Sequence, residues 1–182
     1  MIDGKSWIDE VYRFWFEELR PEDWFRSNQN TDATVRQRFS ELYRTLAESA
    51  PTAGYPKEAV AGVIVLDQFP RNMFRGSPQA YATDPAALKL AKAAIAAGFD
   101  RGLGMHECQF LYMPFQHSED RAAQRQSLEL FTRLGVPDLL RYCEDHKAII
   151  DRFGRFPHRN AILGRASTPE EIEFLKTARP FG

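Results

Sequence analysis

A chain of 182 residues is long enough for one domain with a substantial buried core. Its 43% hydrophobic and 13% aromatic content excludes a disordered chain. A net charge of −1 argues against wholesale binding to nucleic acid or to a membrane surface.

The N-terminal MIDGKSWIDEV lacks the basic start and apolar run of a signal peptide. No apolar run reaches transmembrane length, so a cytoplasmic protein is expected. Ser6 can cap a first helix with the stripe Ile8, Val11, Tyr12, Trp15 and Leu19, which Pro21 ends. Trp24 and Phe25 are expected in the core, ahead of a polar loop over 26–30. A second helix runs from about Thr31 to Ser49 with Val35, Phe39, Leu42, Tyr43 and Leu46 inward. Pro51 and Gly54 close that unit. From Pro56 to Gln68 almost no polar face is left, which predicts a helix surrounded by others, with a short strand as its competitor. Asp67 continues that apolar stripe and therefore needs a buried partner, with Arg71 four residues on and Pro70 expected to kink or stop the helix.

Asp84-Pro85 is a helix start, and seven alanines between Ala86 and Ala97 let neighbouring helices approach closely. After 99–104, a helix carrying Cys108, Leu111, Tyr112 and Phe115 is expected to break at Pro114. Ser118 is read as the cap of the next helix, whose inner face is Ala123, Ser127, Leu130, Phe131 and Leu134, and which Gly135 ends. From Pro137 the stripe Leu139, Cys143, His146, Ile150 and Phe153 leads to Gly154. Thr168-Pro169-Glu170-Glu171 is a full capping box. Cys108 and Cys143 lie in these helices without CxxC spacing and read as reduced structural thiols, a disulfide between them staying open.

The span 152–165 holds four arginines and one histidine without an acidic residue. Gly154 and Phe156-Pro157 turn it sharply, presenting Arg155, His158, Arg159 and Asn160 from a rigid corner suited to carboxylate or phosphate. Arg155, without a local carboxylate, is expected to be central to that preference. Phe69-Pro70-Arg71-Asn72 echoes the same corner, and Tyr112 to His117 is a looser version. Two helix ends meeting around one site would explain the echo. The candidates for moving a proton are His117, His158 and Asp67. The candidates for holding a ligand are Arg71, Asn72, His146, Arg155, Arg159, Asn160 and Arg165. The competing reading makes the arginines internal ion pairs of Asp67, Glu119 and Asp120, and His146 a satisfied core histidine. No zinc spacing, P-loop, GxSxG or complete GxGxxG is present, so no metal is assigned and no cofactor is named.

LDQFPRNMFRG, PFQHSED and FGRFPHRNAILGRASTPEE, in this order and spacing, resemble domain-of-unknown-function family 924, a bacterial family. The resemblance covers nearly the whole chain. Tyr55-Pro56 departs from it, sitting where many relatives carry tryptophan. It implies a tetratricopeptide-like array of antiparallel helix pairs, a single all-α domain over 1–182, and no particular reaction. Two functions are then in play: a site for a small anionic ligand, catalytic or not, or an interaction module taking an acidic or C-terminal peptide in a groove. Oligomeric state stays open.

Overall fold

The computed structural model describes residues 6–49 and 52–178, and the reading of Pro51 lies outside them. Every regular element among the described residues is helical. The major helices are α1 (Ser6–Tyr12), α2 (Gln29–Ser49), α3 (Pro56–Val63), α4 (Phe69–Met73), α5 (Asp84–Ala96), α6 (Met105–His117), α7 (Arg121–Leu134), α8 (Pro137–Phe153) and α9 (Pro169–Thr177). None of them is long and apolar enough to cross a membrane.

The core is built around α3 and the wider π turn Ile64–Gln68 that continues it, where every residue from Ala59 to Gln68 is buried. The strand alternative for this stretch is therefore rejected. α3 packs on α1, α5 and α6. A Cβ on Gly62 would lie 2.8 Å from Leu90 Cδ2, so glycine here sets the close approach of α3 to the alanine-rich α5. At the other end, Phe14, Trp15, Phe39, Phe69 and Phe110 interlock, with ring centroids 4.6 Å apart for Phe39–Phe69 and 5.4 Å for Trp15–Phe110. Trp24 enters the core and donates to the Trp15 carbonyl at 2.8 Å. Phe25 does not; it stays 47% exposed over Phe110.

α6, α7 and α8 pack in succession across links of only a few residues, which makes them antiparallel hairpins. This is compatible with a tetratricopeptide-like array. α6 runs through Pro114 without breaking. Ser118 ends α6, and it is Asp120 that caps α7, its carboxylate accepting from Ala123 N–H at 2.7 Å. The buried Gln124 holds the end of α6 by donating to the carbonyls of Gln116 (2.8 Å) and Ser118 (2.6 Å). The cysteines are both free and buried.

Candidate functional site

Pro70 does not stop its helix. The backbone widens into the π turn before it, and Phe69 keeps helical angles although it precedes proline. Proline has no N–H for the carbonyl four residues back, that of Leu66. Thr83 fills the gap, its hydroxyl donating to Leu66 O at 2.6 Å. The π turn points Asp67 into the interior, where it is fully buried. One carboxylate oxygen meets His117 Nδ1 at 2.8 Å and lies 3.5 Å from Arg71 Nη1; the other accepts from Gln68 Nε2. Burial alone would raise this carboxyl, but the Arg71 charge and the hydrogen bonds from His117 and Gln68 hold it below the usual carboxylate range.

His117 ends α6. Its Nδ1 faces a carboxylate and so carries the proton, leaving Nε2 as an acceptor with no hydrogen-bond partner among the described residues. Burial, then the Arg71 charge, push its pKa down against the pull of Asp67, so the ring is neutral. His146 on α8 lies 6.4 Å away between ring centroids and gives its Nδ1 proton to the Tyr142 carbonyl at 2.7 Å. Burial lowers its pKa to about 3. Phe156 packs against both His146 (5.6 Å) and His158 (5.5 Å). Burial followed by the Arg159 charge lowers His158 to about 4. Three neutral imidazoles thus stand beside two guanidiniums. Among the described residues no three His, Cys, Asp or Glu side chains are placed to share a metal ion.

The four arginines of the basic corner have different fates. Arg152 pairs with Glu170 at 2.8 Å. Arg155 forms a two-point pair with Glu171 (2.7 and 2.8 Å) and also donates to Ala166 O, so its missing local carboxylate is supplied from the cap of α9. Glu171 completes the expected capping box with Thr168, and Asn160 donates to it as well. Arg165 forms a two-point pair with Glu119 (2.7 and 2.9 Å) and donates to Asn160 Oδ1. Glu119 also accepts the Phe156 N–H at 2.7 Å, fixing the corner. These contacts use Arg155, Asn160 and Arg165 to build the loop, and of the acids the ion-pair reading names only Glu119 takes part in them.

Arg159 is held otherwise. Its guanidinium packs against the rings of Tyr81 and Phe156, each 4.6 Å from the centroid, and only Nη1 reaches an acid, Asp84 at 3.3 Å. Its Nε is buried without a hydrogen-bond partner. Arg71 takes the same Asp84 with two bonds (2.8 and 3.1 Å). The two Phe-Pro segments therefore do meet, through arginines sharing one carboxylate, although their backbones differ: helical at Phe69, extended at Phe156. Asn72 faces elsewhere, donating to Asp32 at 2.8 Å beside Arg75. Asp84, Tyr81 and Gln68 join the cluster without a signal in the sequence that marks them as site residues. Asp84 had a complete explanation as a helix-start residue, a role that passes to Thr83 as N-cap, and nothing local marks the other two.

The cluster is nearly closed: His117, His146 and Arg159 are each below a tenth exposed, with Arg71, Tyr81, Asp84 and His158 on its partly exposed side. A separate cleft of about 430 Å³ opens near the other end of α6, beside Cys108, Tyr112 and Arg133. Tyr112 and Arg133 both bond Asp100 there.

Comparison with known proteins adds context. A family model described as a bacterial protein of unknown function, DUF924, matches residues 11–179. A solved structure of a protein of unknown function from Agrobacterium tumefaciens is 37% identical with a TM-score of 0.86, over 94% of this chain and 97% of that one. No curated protein matches.

Proposed function

The chain belongs to the DUF924 family, and from its own residues we propose a small-molecule site in which Asp67 and His117 take a proton from an anionic substrate held by Arg71 and Arg159. The observation that carries this reading is the buried pair itself. A carboxylate fixes His117 as the neutral tautomer, aims its free Nε2 away from the pair, and would stabilise the imidazolium that forms. Burial, and after it the Arg71 charge, make His117 a weak base. An anion bound beside Arg71 offsets that charge and raises the basicity of His117 when substrate is present. Carboxylates and phosphates are the ligand classes that guanidinium pairs recognise best. The peptide-groove alternative loses support because Arg155 and Arg165 are committed to Glu171 and Glu119. We propose a cytoplasmic location as well, supported by the free thiols of Cys108 and Cys143, which a reducing compartment keeps reduced.

Nitrogen-15 spectra of the histidines test the proposal. Titration with small carboxylates and phosphates should move the His117 Nε2 resonance saturably and raise its apparent pKa, with Arg44→Ala responding like the parent. At one hundred times its dissociation constant, such a ligand adds about 2.7 kcal/mol to stability. For a chain of this length that is a Tm rise of roughly 5–10 °C, measured against the general stabilisation that sulfate and phosphate give by surface exclusion. A panel that leaves His117 unmoved throughout overturns the reading.

A further inference from the structure

Arg159 is the exception in a corner that otherwise satisfies its arginines. Arg152, Arg155 and Arg165 each meet a glutamate through two or more hydrogen bonds. Arg159 is more deeply buried than any of them, yet has a single bond to an acid, and that at 3.3 Å. The rings of Tyr81 and Phe156 both pack against its guanidinium carbon, and hydrogen bonds to a guanidinium are made in its plane. Nη1 is used by Asp84. The remaining side edge consists of Nε, sealed and unpartnered, and Nη2, which has no acceptor among the described residues either. Such an edge matches the two oxygens of one planar oxyanion. Leaving a buried donor unmatched costs stability, and a corner with three fully paired arginines shows that structure alone does not require it.

We propose that the ligand of this site is a small monocarboxylate, held through the Nε–Nη2 edge of Arg159, and that Arg159 selects it. This rests on the small-anion reading above and narrows it. Charge decides between carboxylate and phosphate. Asp67 and Asp84 cancel Arg71 and Arg159, and the neighbouring histidines are neutral. The bordering pairs Arg155–Glu171 and Arg165–Glu119 cancel as well. A monoanion therefore leaves the buried cluster at −1, whereas a phosphate dianion would leave it at −2 in surroundings that screen charge poorly. The ligand edge of Arg159 is separate from its Nη1 bond to Asp84, which Arg71 also holds in a two-point pair.

The experiment uses acetate and propionate as monocarboxylate probes against inorganic phosphate and methylphosphonate. The readout in the parent protein is the Arg159 Nε–H resonance, with affinity measured by calorimetry in parent and Arg159→Lys. Acetate or propionate should shift that resonance saturably and bind at least about tenfold more tightly than either phosphorus probe. Arg159→Lys should lose about tenfold or more, since an ammonium cannot offer two parallel in-plane donors. The resonance in the parent decides the matter should Arg159→Lys not fold. A phosphorus probe binding as tightly as acetate, or an unmoved Arg159 signal while His117 responds, overturns this proposal and leaves the small-anion reading standing. Silence at both His117 and Arg159 overturns both.

Discussion

Asp67 draws His117, Arg71 and Gln68 onto one carboxylate that water cannot reach. Removing its charge leaves Arg71 with Asp84 as its one acid neighbour and frees the His117 ring, so Asp67→Asn should destabilise by about 3–5 kcal/mol in denaturant unfolding. The histidines give a pH dependence of definite sign. In the unfolded chain each binds a proton near pH 6.5, while in the fold burial delays this to about 4 for His158 and about 3 for His146, with His117 lowered too. The unfolded state therefore holds more protons below that point, and stability falls as pH drops from about 6.5 towards 4, by up to roughly 1.4 kcal/mol per pH unit for each fully buried ring. Below about pH 4 the depressed carboxyls of Asp67, Glu119 and Glu171 add a second loss of the same sign. His146→Gln should flatten the first phase by about one proton's share and leave the second intact.

Helix starts were legible from the sequence because their signals are local. Pro85, Pro137 and Pro169 all fall in first turns, and Thr168 with Glu171 closes its box as read. The interior prolines misled, since whether a helix survives one depends on what satisfies the stranded carbonyl. For Pro70 the answer is Thr83, thirteen residues on in another element. Thr83→Val should cost about 1–2 kcal/mol for an unsatisfied buried carbonyl. In a Pro70→Ala background, which returns an N–H, a double-mutant cycle should show that cost reduced. The site was half legible for a similar reason. Asp67, Arg71, His117 and Arg159 stood out by residue type and placement. The assignment that separates paired arginines from the under-satisfied one depends, beside Glu119, on acids at 84 and 171, which no local pattern links to them.

Across the molecule, the buried rod of α3 and its π turn serves both as the centre of packing and as the carrier of Asp67. Stability and site geometry are thereby joined: a change that moves α3 against α5 moves the carboxylate. Gly62→Leu, forced against Leu90, should cost roughly 1–3 kcal/mol. It should also perturb the His117 resonance although no contact with His117 is altered directly. The all-helical architecture was legible because hydrophobic stripes and caps repeat along the chain, whereas the array of antiparallel pairs came as an implication of the family resemblance.

The π turn also has a meaning for insertions and deletions. A π turn is an α-helix carrying one residue too many, and each residue of an α-helix advances the rod by about 100°. Removing Leu66 would let Ile64–Gln68 close into ordinary helix, with the side chains inside the turn re-aimed. The core would tolerate this poorly, but a helical chain could persist. Asp67 lies within this turn, so it would keep its four-residue spacing to Arg71 but lose its interior aim towards His117. A shortened protein should thus retain a helical far-ultraviolet spectrum while its His117 loses the neutral Nδ1–H tautomer. At this point of the chain, residue count is as much a part of the site as residue type.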